Sequence, residues 1–212
     1  GAPEAKNFAN WDVSFWAERV REEKLALVED EVRQFLPFDN VLSGVFGVIE
    51  RLFGVSVQAA DGETSVWNDD VRYFNIVDKA GEKIASFYLD PFARPKDKIG
   101  GAWMNEAVGR SRLFAPDGQD VRLPTAYIVC NGTPAVDGKP ALMTFREMQT
   151  LFHEMGHGLQ HMLTKVDYDG DAGISNAEWD AVELPSQFME NFCYHQPTLE
   201  KLTAHAETGE PM

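Results

Sequence analysis

His153-Glu154-Met155-Gly156-His157, set in a run from Thr144 to about Thr164, decides how this 212-residue chain is read. On an α-helix, residues four apart lie about 40° apart around the axis, so His153 and His157 project side by side. That spacing suits two imidazole ligands of one zinc ion, with Glu154 beside the metal as a candidate base. The flanks predict the helix. Thr144 followed by Glu147 forms a capping box, in which each side chain satisfies an orphan donor of the first turn. Met148, Leu151, Phe152, Met155, Leu159 and Met162 recur at steps of three and four as one apolar stripe, and the histidines lie on the other side of the cylinder. The five-residue pattern also occurs by chance in ordinary helices, where such histidines are merely solvated or packed. The weight therefore falls on a third ligand, because a catalytic zinc takes three protein ligands and leaves one position open. The stretch 177–191 reads as a second helix able to offer a carboxylate.

The run from His153 to Leu163, followed by Trp179-Asp-Ala-Val-Glu-Leu-Pro-Ser-Gln-Phe-Met-Glu-Asn191, resembles the thimet oligopeptidase and oligopeptidase A family of zinc metallopeptidases. The likeness extends to Phe87-Tyr-Leu-Asp90, to the strand before the zinc helix and to Thr208-Gly-Glu-Pro211, and so covers nearly the whole chain. It implies that Glu183 is the third ligand, that one zinc is held per chain, and that the substrates are short unstructured peptides. Glu154 is then the general base, taking a proton from the attacking water and passing it to the leaving amine. It also implies a largely helical, zincin-like fold with a small sheet next to the metal.

Members of that family are much longer. They have a helical region before the catalytic part and, after it, a Gly/Tyr-rich loop with tyrosine and histidine side chains for substrate and oxyanion. The chain is therefore expected to be part of a larger peptidase, with the missing remainder as a partner. Loss of one such donor costs about two to three orders of magnitude in turnover. The alternative reading is a truncated, non-catalytic module that binds zinc or peptide and needs a second polypeptide.

Metal-bound histidines donate their second N–H to a carboxylate or carbonyl. Asp180, three residues before Glu183, is the first candidate for that role, with Glu178 and Glu190 behind it. Pro185 removes a backbone donor and is expected to kink the second helix near Glu183. His161 shares the ligand sector one turn beyond His157 and reads as a supporting or solvated residue. Cys193, in a Phe-Cys-Tyr setting, reads as packed rather than reactive.

A formal charge of −15 argues against nucleic acid, whose phosphates need a basic surface, and disfavours an anionic membrane. Two cysteines make no disulfide framework, and a reducing compartment is the simpler reading. With no secretory signal, the expected location is cytoplasm, mitochondrion or chloroplast rather than outside the cell.

Along the chain, three segments are expected: a helical lead-in (1–54), a small sheet with loops (55–143) and the zinc-site helices (144–212). The order is α+β. Residues 11–35 read as one long amphipathic helix whose Trp11, Phe15, Trp16, Val20, Leu25, Leu27 and Val28 are assigned to core. Asp39 is a candidate N-cap for a second helix ending at Gly54. Strands are expected at 55–58, 71–77, 84–89 and 124–131, with a hairpin at Asp78-Lys-Ala-Gly-Glu82. A sheet edge beside a peptidase cleft can hold an extended peptide by strand addition. The strand at 125–131, nearest the zinc helix, is the candidate edge, against the plainer reading of an internal strand.

Overall fold

The computed structural model describes residues 8–25 and 28–212. Helix outweighs strand, and the two are mixed along the chain, so the class is α+β. The order is α1 (Val13–Leu25), α2 (Glu29–Arg33), α3 (Phe38–Phe53), β1 (Ser56–Ala59), β2 (Arg72–Val77), β3 (Lys83–Phe92), β4 (Trp103–Val108), β5 (Thr125–Gly132), α4 (Phe145–Met162), α5 (Leu184–Glu190) and α6 (Gln196–Leu202). No helix among the described residues is long and apolar enough to cross a membrane.

The five strands form one sheet in the order β1-β2-β3-β5-β4. The β2–β3 hairpin turns at Asp78, whose carboxylate accepts from the Ala80 and Glu82 amides at 2.8 and 3.0 Å. β3 and β5 pair in parallel, Phe87 opposite Ala126 and Leu89 opposite Ile128. β4 then pairs antiparallel with β5 and closes that side of the sheet. This corrects the expected edge: β5 is flanked on both sides, and among the described residues the edge strand on that side is β4. The sequence reading passed over β4 because Trp103–Val108 is short, carries Asn105 and Glu106, and lies between two polar connections.

Alternation along the strands sends Phe74, Ile76, Phe87, Leu89, Ala126 and Ile128 to one face, where all are buried against α3 and α4. The other face carries Tyr73, Tyr88 and Tyr127, with Trp67 laid over them. There, buried Asp90 accepts from Trp67 at 2.9 Å, from Arg94 at 2.6 and 2.7 Å, and from Lys98 at 2.9 Å. Burial by itself raises this carboxyl, but the Arg94, Lys98 and Trp67 hydrogen bonds outweigh it and bring the pKa down to about 2.

Three expectations about the N-terminal part are corrected. The long helix over 11–35 is two helices, because Val28 is extended (φ −105°, ψ 115°) and caps α2. Of the residues assigned to core, Trp11 is 85% exposed, Phe15 59% and Val20 46%. Leu27, and the side chain of Leu25, lie outside the described residues, as do residues 1–7 of the expected lead-in. The cap of α3 is Pro37 rather than Asp39, which sits inside the first turn. Pro37 fits there because a proline has no N–H to satisfy and holds φ near −60°. α3 ends at Gly54, left-handed at φ 67°, as its glycine leads one to expect.

Candidate metal centre

The site is built on α4. Thr144 Oγ1 accepts from the Glu147 amide at 3.0 Å, and Glu147 Oε2 accepts from the Thr144 amide at 2.7 Å, which completes the capping box. The other Glu147 oxygen accepts from the backbone and hydroxyl of Thr133, just past β5, at 2.9 and 3.0 Å. The helix start is thereby fastened to the end of β5. All six residues of the apolar stripe are buried, each worth roughly 1.5–3 kcal/mol before entropy is counted. With that face fixed on the sheet, His153 and His157 turn the other way, toward α5.

There the carboxylate of Glu183 meets them. Its Oε2 lies 3.2 Å from His153 Nε2 and 3.2 Å from His157 Nε2. One donor atom from each of the three residues falls within 4.8 Å of the others. Ligands bound at 2.0–2.1 Å around a tetrahedral ion are about 3.3 Å apart, so this donor set fits a single zinc. The Glu183 side chain is 50% exposed, which leaves the meeting point open to solvent.

Contact between α4 and α5 makes this possible. A Cβ placed on Gly156 would stand 2.6 Å from Ser186 Cα and closer still to the Pro185 carbonyl, so only glycine permits the approach. The helix expected over 177–191 begins at Leu184, with Glu183 as its cap. Pro185 starts this helix instead of kinking it, since a missing N–H costs nothing in a first turn. Ser186 donates to Glu183 Oε2 at 2.8 Å and to the Glu183 carbonyl at 2.8 Å. That hydrogen bond, more than the two imidazoles, keeps the Glu183 carboxyl below its ordinary range.

The partner of His153 is not Asp180. Asp180 and Glu178 lie in the exposed turn before α5, whereas Glu190, at its far end, has Oε1 2.6 Å from His153 Nδ1. Glu190 Oε2 in turn accepts from Gln149 at 2.7 Å. Sequence reasoning ranked Asp180 first because it assumed a continuous helix. It missed Gln149 altogether, although Gln149, His153 and His157 share the four-residue spacing of one stripe. His157 Nδ1 has no hydrogen-bond partner among the described residues.

Glu154 is buried, 6% exposed, near both Cys130 of β5 and Glu183. Burial pushes its carboxyl up to about 7; the nearby His153 charge opposes that shift and Glu183 adds to it. Burial likewise lowers His157 and favours the neutral imidazole that a metal requires. The two thiols are buried and pushed up to about 12, Cys193 among them, so neither is a nucleophile at neutral pH.

His161 is fully buried rather than solvated, with Nε2 3.0 Å from the Val108 carbonyl at the end of β4. The segment 167–175 fastens the same end of β4. Asp167 pairs with Arg110 and Arg112 at 2.8 and 2.6 Å, Asp169 with Arg122 at 3.1 Å, and Ser175 donates to Glu106 at 2.9 Å. Buried Gly109 leaves the room that Asp169 needs.

Residues 2–212 match the model of peptidase family M3. The chain is 54% identical to the organellar oligopeptidase A, chloroplastic/mitochondrial, of Arabidopsis thaliana over 212 residues, which is 100% of this chain and 27% of that protein. It is 53% identical to the probable cytosolic oligopeptidase A of the same plant, again over 100% of this chain and 30% of the relative. Oligopeptidase A of Haemophilus influenzae is 44% identical over 204 residues, 96% of this chain and 29% of the relative. The chain thus spans less than a third of the length of the curated relatives it matches. Matched by the family model along almost all its length, it belongs to peptidase family M3.

Proposed function

We propose that this chain carries the zincin-like metal site of an oligopeptidase, and that it hydrolyses short unstructured peptides when joined to the rest of the parent protein. The observation that carries the reading is the convergence of His153, His157 and Glu183 beside buried Glu154. His153, His157 and Glu183 would hold one zinc ion, which when bound supplies Lewis acidity and makes a water molecule acidic near neutral pH. Glu190, itself held by Gln149, fixes the His153 ring so that Nε2 faces the ion. Glu154 takes a proton from the attacking water and delivers it to the leaving amine. A carboxyl raised toward neutrality by burial suits both halves of that transfer.

The substrate platform in this reading is the free edge of β4, not β5. The backbone groups of Trp103–Glu106 that face away from β5, apart from the Glu106 amide, which donates to Asn105 Oδ1 at 2.9 Å, can pair with an extended peptide, which gives affinity with little sequence demand. Peptide substrates are the class named by the oligopeptidase relatives.

The test is cleavage of a quenched fluorescent peptide by the full-length parent and by this chain alone, each with chelator and after zinc is restored. Cleavage by the parent that stops with chelator and returns with zinc is the expected result. Cleavage that persists in metal-free parent sinks the reading. If the parent cleaves and this chain binds zinc without cleaving, the residues that stabilise the oxyanion lie in the rest of the parent.

A further inference from the structure

His161 is the histidine of α4 that the metal site leaves unused. Its side chain is fully buried near the end of the helix, one turn and about 6 Å along the axis beyond His157. A carbonyl oxygen only accepts, so the 3.0 Å contact of Nε2 with Val108 is a hydrogen bond donated by the ring. Nδ1 stands 3.7 Å from Glu106 Oε2 and has no hydrogen-bond partner among the described residues. Gly173 lies against the ring, where an added Cβ would come within 2.5 Å of Nδ1. A buried ring nitrogen without a partner is unfavourable, so the ring is poorly explained as core filling. What sets it apart from an apolar residue is the strand that it holds.

The place at which it holds β4 matters. Val108 is where β4 resumes pairing, opposite Thr125, after the register shift that follows Glu106. An irregularity of this kind interrupts the ladder and bends the strand. Pairing with β5 therefore does not by itself fix how far the preceding segment stands from α4. That segment, Trp103–Glu106, is the peptide platform of the reading above. The ties from Arg110, Arg122 and Ser175 at this end of the sheet run between the 167–175 segment and residues of β4 or its neighbours. The His161 bond runs from α4 itself. It joins the helix that carries His153 and His157 to the edge on which a peptide would lie.

We propose that His161 is a positioning residue for peptide hydrolysis: its bond to Val108 sets the spacing between the β4 edge and the metal centre, so that a peptide on the edge brings its scissile carbonyl to the right place. The inference rests on the peptidase reading above. A misplacement of about 1 Å at a reacting centre costs roughly a hundredfold in rate. Main-chain pairing with the edge, by contrast, is as good wherever the edge stands. Loss of the bond should thus lower turnover and spare affinity.

The experiment uses the full-length parent with His161→Met, His161→Leu and His161→Gln. The two apolar substitutes differ in shape, so one that fails to fold leaves the other to report, and the glutamine amide can donate to the same carbonyl. Turnover of a quenched fluorescent peptide and zinc content are measured on each. Affinity is measured with Glu154→Gln added, as is the electron-spin distance from Cu²⁺ in place of zinc to a nitroxide on one end of a bound decapeptide. His161→Met and His161→Leu should keep zinc and bind peptide within about twofold of the parent, yet turn over about ten- to a hundredfold more slowly. Their copper–nitroxide distance should shift or broaden, and His161→Gln should restore both readouts. Parental turnover in the apolar variants, or a glutamine variant no better than they are, overturns the proposal. So does a turnover loss matched by loss of zinc or of peptide affinity, which would make His161 a support of the helix alone. If no protein cuts peptide but the distance changes with the apolar variants and returns with glutamine, the positioning role stands and the catalytic reading falls. If neither cleavage nor a distance change is seen, both fall.

Discussion

α4 and α5 bring their donors to one point by different physics. His153 and His157 are placed by the pitch of a single helix, and nothing outside α4 is needed to keep them side by side. Glu183 comes from the cap of a seven-residue helix whose position depends on bare backbone packing at Gly156. Half of the site is thus local geometry, and half is the closeness of two backbones.

The difference can be attacked from either side. The largest effects are expected at the donors: His153→Ala, His157→Ala or Glu183→Ala should lower zinc from close to one per chain to near zero, read by metal analysis after dialysis. Full occupancy in any of them removes that residue from the set. Glu154→Gln separates base from ligand, leaving zinc near the parental content while turnover of the full-length parent falls by about two to four orders of magnitude. More than about a tenth of turnover remaining would refute the base role. Next comes Gly156→Val, which adds atoms where α5 must lie and costs roughly 1–3 kcal/mol of packing. Zinc affinity should drop while the far-ultraviolet dichroism of α4 persists; unchanged affinity would mean that Glu183 does not depend on this contact. Glu190→Gln removes the charge behind His153 and should weaken zinc by about ten- to a hundredfold without abolishing it.

The smallest effect on zinc binding belongs to the far face of the sheet, which serves as a control for both helices. Asp90 titrates near 2 when folded, below its ordinary 3.8, so its contribution is complete above about pH 4. It fades as pH falls from about 4 through 2, a loss of about 2 kcal/mol in all. Denaturant melts should show that acid loss in the parent sequence and not in Asp90→Asn, whose neutral-pH stability is lower but flat over the same window. A parallel slope in both would place the acid sensitivity elsewhere.

What could be read without coordinates follows the same division. The capping box, the buried stripe and the paired histidines of α4 are all interactions within four residues, and the structure has each of them. The identity of the His153 partner is not local. Asp180 looked suitable only if the chain stayed helical before Pro185, and Glu190 was placed by the turn that Pro185 starts. β4 was hidden for a similar reason, since its two polar residues are tolerated by an edge and argue against an interior strand. α1 marks the opposite limit: its apolar residues sit at helical spacing and form a helix, yet Phe15 and Val20 are exposed rather than part of the core. Periodicity fixes which residues share a face; what covers that face is decided elsewhere.

The unpaired edge of β4 has a second consequence, for behaviour in concentrated solution. A row of free amide and carbonyl groups is as good a template for another copy of itself as for a peptide, and flat edges of this kind seed aggregates. Here the register slips between Glu106 and Val108, and the polar ties of 167–175 close over the strand beyond it. That leaves only Trp103 to Glu106 regular, with a carboxylate at the end of the run. Four residues with a terminal negative charge are too few to nucleate a growing stack of like strands.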